Sequence, residues 1–240
     1  KLRFSYGVSG NNGVSPYSRF PTVANARYLF GTTSVVNTSS VTRFANKNLT
    51  WERTNEFNLG VDFELYKGRI GGTIDVYNRR TNGIIMNRVM SILNGFTSLT
   101  DNVGSVNNKG IEFSLNTTNI KTDSFSWNTS LNVASNSNKI VSLADGSQRD
   151  EANGWFVGQP VGVVWTYDQV GYWSESEVAD AKKYGLAPGS IKVRDIDNSG
   201  TINNADKVFK GSLFPKWSGG ITNSFAYKNI DLAFTVTTRQ

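Results

Sequence analysis

Apolar and polar residues alternate strictly, one by one, in seven separate stretches of the chain. Leu2, Phe4, Tyr6 and Val8 share one face of the first, with Lys1, Arg3, Ser5 and Gly7 on the other. Phe57, Leu59, Val61, Phe63 and Leu65 alternate with Glu56, Asn58, Gly60, Asp62 and Glu64 in the second. Ile70, Gly72, Ile74 and Val76 repeat the pattern, as do Ile111, Phe113 and Leu115. Phe125, Trp127, Thr129, Leu131 and Val133 form the fifth ridge. Trp217, Ile221, Phe225 and Tyr227 line the sixth, and Ile230, Leu232, Phe234 and Val236 the seventh. A period of two places successive side chains on opposite faces of a strand, so seven antiparallel β-strands are predicted. Their length of roughly ten residues is what a tilted membrane-crossing strand needs.

A soluble antiparallel sandwich would show the same alternation. The connections separate the two architectures. Residues 10–50 form a long loop, Lys67-Gly68 a tight hairpin, 81–105 a long stretch and 118–124 a shorter link. A very long excursion over 136–215 follows, and Lys228-Asn229 makes another tight turn. A transmembrane barrel has short turns on one side and long loops on the other, so its connections must alternate in length. The expected fold is therefore all-β: an antiparallel transmembrane β-barrel fragment with long extracellular loops. On this reading residues 1–240 belong to one barrel domain, with 136–215 as a long extracellular insertion. Seven is odd, whereas bacterial barrels close with even numbers, so a piece of a larger barrel is expected. Trp51, Tyr66, Tyr77, Trp127, Trp217 and Tyr227 fall near strand ends, where interfacial girdles use rings with polar tips.

Composition narrows the chemistry. With 0 Cys and 0 His, disulfides, thiolate metal sites, histidine triads and the usual zinc sites are excluded. The net charge of +6 permits contact with anionic surfaces, yet no Lys/Arg run exceeds two residues (Arg79-Arg80, Lys182-Lys183). A nucleic-acid partner is not expected without a concentrated basic stripe. No apolar run approaches the ~18–20 residues of a spanning helix, and no signal peptide is expected at the start. In a membrane, then, the chain must sit as a barrel.

The sharpest local constellation is Asp195-Ile196-Asp197-Asn198-Ser199-Gly200-Thr201-Ile202-Asn203-Asn204-Ala205-Asp206. Oxygen-bearing residues stand at loop positions 1, 3, 5, 9 and 12 with glycine at 6, as in EF-hand calcium loops. Asp195, Asp197 and Ser199 would offer side-chain oxygens, Thr201 its carbonyl, Asn203 a direct or water-bridged ligand, and Asp206 closure. Serine at position 5 and Asp in place of a bidentate Glu at 12 depart from that pattern. The competing reading is a polar turn held by Asx-type hydrogen bonds. Either way the role is structural, and calcium is the one cofactor expected. Trp155, Trp165, Tyr172 and Trp173 are candidate ligand-stacking residues in or beside the longest loop; packing inside the loop is the alternative. The carboxylates Asp62, Glu64, Asp75 and Glu112 invite comparison with glycosidase pairs, but their alternating polar positions read as a lumen lining, so no catalytic residue is assigned. Gly71-Gly72 and Gly219-Gly220 read as strand bends or close approaches.

Several stretches carry a further signal through their joint order. They are Asn48-Leu49-Thr50-Trp51-Glu52-Arg53-Thr54 with Phe57-Asn58-Leu59-Gly60-Val61-Asp62-Phe63, and Val103-Gly104-Ser105-Val106-Asn107-Asn108-Lys109-Gly110-Ile111-Glu112. Val157-Gly158-Gln159-Pro160, Pro188-Gly189-Ser190-Ile191-Lys192, Asp195–Gly200 and the run from Gly211-Ser212 to Gly219-Gly220 complete the pattern. Each is weak alone, but in their joint order they resemble the SusC/RagA-type TonB-dependent transporters of Bacteroidetes outer membranes, and that order is specific. The resemblance implies a plugged barrel of about 22 strands, of which this chain supplies a late portion. It further implies active import of oligosaccharides or peptides across the bacterial outer membrane, with outer-membrane lipid around the barrel. Its partners would be a SusD-like surface lipoprotein and, through a plug absent from this chain, the TonB–ExbB–ExbD system. A passive porin-like channel and a surface carbohydrate-binding β-module are the alternative functions.

Overall fold

A computed structural model describes residues 1–14, 17–31 and 34–240. Two compact units make up the chain: residues 1–160 with 215–240, and residues 161–214. The first is built on a seven-stranded sheet: β1 (Leu2–Asn11), β2 (Glu52–Leu65), β3 (Ile70–Asn82), β4 (Gly104–Lys121), β5 (Phe125–Leu143), β6 (Trp217–Tyr227) and β7 (Ile230–Arg239). Each strand pairs antiparallel with its neighbour in sequence. All seven alternating stretches are strands, and the short–long order of their connections holds.

The pairing register carries the alternation across the sheet. Leu2, Val61, Ile74, Phe113 and Val133 form one continuous cross-strand row, and Phe63, Gly72, Leu115, Leu131, Ile221 and Val236 another. A slip of one residue anywhere would send a whole ridge to the other face. Both Gly72 and Gly110 sit opposite an aromatic residue, Phe63 and Tyr77 respectively. At Gly110 an added Cβ would lie 2.6 Å from the Ser135 carbonyl oxygen and 2.6 Å from the Tyr77 hydroxyl, so the ring lies over the bare backbone. Gly110→Val is expected to destabilise the sheet by about 1–3 kcal/mol, as overpacking does. Urea unfolding in detergent followed by tryptophan fluorescence measures it; an unchanged midpoint would contradict the packing.

Two strands outrun the expectation. β4 has 18 residues and β5 has 19, well beyond the ~9–11 a bilayer requires. β5 continues to Leu143, so the long excursion begins at 144, after the 136 boundary expected from the alternation. The extra ladder runs from Gly110↔Asn136 to Gly104↔Leu143. Its residues Asn136-Ser137-Asn138-Lys139 are polar on both faces, as suits a ribbon with water on either side, and polarity on both faces erases a period-two signal.

The long connections carry small hairpins of their own. Thr22–Phe30 pairs with Ser34–Arg43, and Ile85–Val89 pairs with Ser98–Asn102. The buried apolar residues of the sheet unit are Leu49, Val103, Ile140 and Phe156, and none belongs to the strand ridges. Among the described residues its packed core thus gathers at the long-loop end, with Ile140 in the extension of β5 and Leu49, Val103 and Phe156 in the long connections.

The second unit holds two short ladders, Val163–Tyr167 with Lys207–Ser212 and Gln169–Tyr172 with Ile191–Val193, and a helix, α1 (Val178–Lys183). A capping box opens the turn before α1. The Ser174 amide and hydroxyl donate to Glu177, at 3.1 and 2.9 Å. Lys192 also reaches Glu177, and these donors, Lys192 foremost, hold its carboxyl down to about 2. Lys210, with Arg194 behind it, keeps the Asp168 carboxyl below its ordinary range.

Candidate functional site

The apolar face of the sheet is bare. Phe57 is 44% exposed, Leu59 40%, Leu232 61% and Phe234 49%. These neighbours belong to an apolar surface spread over seven strands, whereas soluble monomers rarely expose contiguous patches beyond a few hundred Å². Among the described residues no carboxylate stands on that face of the sheet: Glu52, Glu56, Asp62, Glu64, Asp75, Glu112 and Asp231 all point to the opposite side. Hydrocarbon is the solvent that suits such a face. Tyr66 and Tyr227 are exposed at the tight turns and Trp51 at the other end, where a girdle belongs. Tyr77 does not join them; it lies on the polar face over Gly110.

The opposite face is knitted by polar groups. Arg3 on β1 donates to Asp62 at 2.9 Å, then reaches past Gly60 to Asp75 on β3 at 2.9 Å. Arg3, Gly60 and Asp75 share one cross-strand row, and a Cβ at Gly60 would fall 2.5 Å from Asp75 Oδ1 and 2.7 Å from Arg3 Cζ. Glycine is what lets the guanidinium cross a strand. That crossing also relieves the direct opposition of Asp75 and Glu112 in the ladder. Composition alone did not reveal the bridge; an Arg–Gly–Asp row appears only once the register is known. Arg79 pairs with Glu56 at 2.8 Å, and Thr73 bonds Ser114 at 2.8 Å. Among the described residues this face also bears a concavity of about 350 Å³ lined by Asp75, Glu112, Asn132, Ser218, Thr237 and Arg239.

The candidate stacking residues separate. Trp155 pairs with Asp150 and lines a cleft of about 420 Å³ with Arg88, Leu143, Arg149 and Glu151. Trp165 lies in the second unit under the Lys207 ammonium, 4.5 Å from its ring centre. Tyr172 is exposed at the end of its ladder. Trp173 is only 6% exposed, stacked on Tyr184 at 5.9 Å with Lys192 4.4 Å from its ring centre; it packs the unit from inside.

In the 195–206 loop the carboxylates of Asp195, Asp197 and Asp206 converge, with one oxygen from each lying within 4.8 Å of the others. Asp206 is fully buried. Its oxygens accept from the Ile196 and Asn203 amides, both at 2.8 Å, and no ion pair to Lys or Arg accompanies it among the described residues. Asp195 accepts from the Gly200 amide at 2.8 Å, the Ser199 amide at 3.1 Å and the Tyr184 hydroxyl at 3.2 Å. Burial pushes the Asp195 carboxyl up, but the Gly200 amide and Tyr184 hydroxyl outweigh it and keep the group below its ordinary value, hence ionised. The Ser199 hydroxyl donates to the Thr201 carbonyl at 3.0 Å, and the Asn203 side chain accepts from the Ala205 amide at 2.8 Å. Asn198 and Gly200 take positive φ, as a tight loop demands. Asx-type bonds and converging carboxylates therefore coexist in this loop.

A one-layer antiparallel sheet, bare and carboxylate-free on one side, ion-paired on the other and looped unequally at its ends, is a wall segment of a transmembrane β-barrel. No helix among the described residues is long and apolar enough to cross a membrane. The family model described as TonB dependent receptor-like, beta-barrel matches residues 1–235. TonB-dependent receptor P26 of Formosa agariphila is 35% identical over 98% of this chain and 25% of its own length. TonB-dependent receptor SusC of Bacteroides thetaiotaomicron is 33% identical over 98% of this chain and 24% of its own. A solved structure of the RagAB peptide transporter superposes with a TM-score of 0.75 over 98% of this chain and 26% of that one; at 21% identity the likeness is one of fold. The chain belongs to the TonB-dependent receptor β-barrel family, with its likeness to the SusC/RagA type, and so to the bacterial outer membrane. It spans about a quarter of the length of these relatives.

Proposed function

We propose that this chain forms part of the wall and outer loops of an energised importer that takes oligosaccharides or peptides across the outer membrane. The exposed, carboxylate-free ridge carries the reading, since it commits the opposite, ion-paired face to an aqueous lumen. Membership of the TonB-dependent family favours active import over a passive channel. A SusD-like surface lipoprotein would cap the long-loop end, and the TonB–ExbB–ExbD system would act through a plug outside this chain. Asp62, Glu64, Asp75 and Glu112 serve as wall and are given no catalytic part. In this reading the Trp155 cleft takes substrate, with the indole face as platform and Arg149 and Glu151 as polar contacts; Trp165 and Tyr172 are further stacking faces.

The test is uptake of defined oligosaccharides and peptides by cells with and without the receptor, and by receptor-bearing cells lacking TonB. Loss of uptake in both deletions is expected. Uptake that survives TonB removal would overturn active import in favour of a porin. A protein that fractionates away from membranes, with no heat-modifiable gel migration, would favour a soluble binding module.

The loop over 195–206 is proposed to hold calcium. Asp195, Asp197 and Asp206 would supply carboxylate oxygens, Ser199 and Asn203 side-chain oxygens, and Thr201 its carbonyl. The support is the convergence of the Asp195, Asp197 and Asp206 carboxylates, one oxygen of each within 4.8 Å of the others, with no Lys or Arg ion-paired to them among the described residues. Calcium would stiffen the loop and do nothing else. Chelator is expected to open the 186–212 region to protease, and Asp195→Ala with Asp197→Ala to do so even in calcium. Equal cleavage rates in chelator and in calcium would contradict the site.

A further inference from the structure

Among the described residues, the face of the sheet that bears the apolar ridges also carries four cations, all at the long-loop end, where the ridges give way to the wet ribbon. Arg53 on β2, Arg80 on β3, Lys109 on β4 and Lys139 on β5 share the face of Phe57, Val76, Ile111 and Val133. The register links them in a zigzag. Arg80 faces Asn55, two residues from Arg53. It also faces Asn107, two residues from Lys109, and Lys109 faces Ser137, two residues from Lys139. Each consecutive pair thus holds the diagonal position of adjacent strands, about 7–8 Å apart at the backbone. Lys109 stands level with Phe57, and the others stand just above it, at the edge of the apolar band.

All four side chains are exposed, and none is joined to a carboxylate by an ion pair among the described residues. Arg80 reaches only the Asn82 amide oxygen, at 3.2 Å. The carboxylates of the same strands point into the other face, so the four cations repel one another without local relief. Such a cluster beside a low-dielectric slab calls for an anion whose apolar part lies alongside the ridge. Trp51, exposed and packed on Gly10 beside Arg53, flanks the cluster with an interfacial ring.

We propose that Arg53, Arg80, Lys109 and Lys139 form a docking site for the phosphate groups of a phosphorylated glycolipid in the outer leaflet, its acyl chains lying along the Phe57–Val76–Ile111 ridge. Arginine forks take phosphate oxygens in pairs and lysine adds point charge, so two phosphates spread across these four strands match the zigzag. This site lies on the outside of the wall and is independent of what crosses the lumen.

The full-length receptor in detergent is titrated with bis-phosphorylated lipid A, with dephosphorylated lipid A and with inorganic phosphate, and bound lipid is counted by native mass spectrometry. Bis-phosphorylated lipid A is expected to bind at least about tenfold more tightly than its dephosphorylated form, a difference of ~1.4 kcal/mol or more. Arg53→Gln, Arg80→Gln, Lys109→Gln and Lys139→Gln together should erase that difference, while exchanging each Arg for Lys and each Lys for Arg should keep most of it. Heat-modifiable migration checks that every variant is folded. Equal binding of the two lipids, or a quadruple variant that still discriminates, would overturn the site. Displacement of lipid A by millimolar inorganic phosphate would overturn it too, pointing to a general anion site.

Discussion

Leu59→Arg is expected to cost the folded protein about 2–4 kcal/mol, as cationic substitutions near a bilayer midplane do. Leu59 lies in the row Phe4–Leu59–Val76–Ile111, in the middle of the bare band, so its replacement places a guanidinium among acyl chains with no partner on that face. Ile111→Arg, two strands away in the same row, should add a comparable loss. The neighbouring change Asn58→Arg puts the same group on the ion-paired face and is expected to fall within about 1 kcal/mol of wild type, as surface substitutions do. Folding into lipid vesicles, read as the heat-modifiable band against urea concentration, gives all three. Equal losses for Leu59→Arg and Asn58→Arg would mean that the faces are not distinguished by solvent.

Asp206→Ala should be the most damaging single change in the second unit. The carboxylate is fully buried and satisfies two backbone amides that have no other acceptor within the loop. Orphaning a buried donor costs about 1–3 kcal/mol. With two lost at once, hydrogen exchange should rise at the Ile196 and Asn203 amides and spread through 191–212, measured in chelator so that metal plays no part. Asp197→Ala, at an exposed carboxylate that accepts from the Ser199 amide, should leave exchange near the wild-type rate. Matching behaviour of the two variants would remove Asp206 from its structural role.

How much of this could be read from residues alone follows the physics of each feature. A strand with unlike solvents on its two faces writes itself into sequence, so Phe57–Leu65 and Ile230–Val236 were visible as ridges. The unequal connections then identified which kind of sheet. Where both faces are wet, as at Asn136–Lys139, the alternation vanishes and the strand end was missed. The four loop aromatics looked alike in sequence, yet Trp173 is buried against Tyr184 and Trp155 lines an open cleft. Burial of a single ring depends on contacts distant in the chain. The Arg3–Gly60–Asp75 bridge and the zigzag of cations above the apolar ridges both need pairing register, which no local pattern reports. The convergence of Asp195, Asp197 and Asp206 is legible because the three fall within twelve consecutive residues.

These 240 residues hold no cysteine, so single cysteines placed among them, with any elsewhere in the receptor replaced by serine, give a clean measurement of the two faces. Single cysteines placed in turn from Phe57 to Glu64 in the membrane-embedded receptor are probed with a membrane-impermeant maleimide, and with a fluorophore quenched by brominated acyl chains. Lipid quenching is expected at 57, 59, 61 and 63 and aqueous labelling at 58, 62 and 64, alternating residue by residue. Labelling of 59 and 61 by the aqueous reagent at the rate of 58 and 62, with no lipid quenching anywhere in the stretch, would contradict the account.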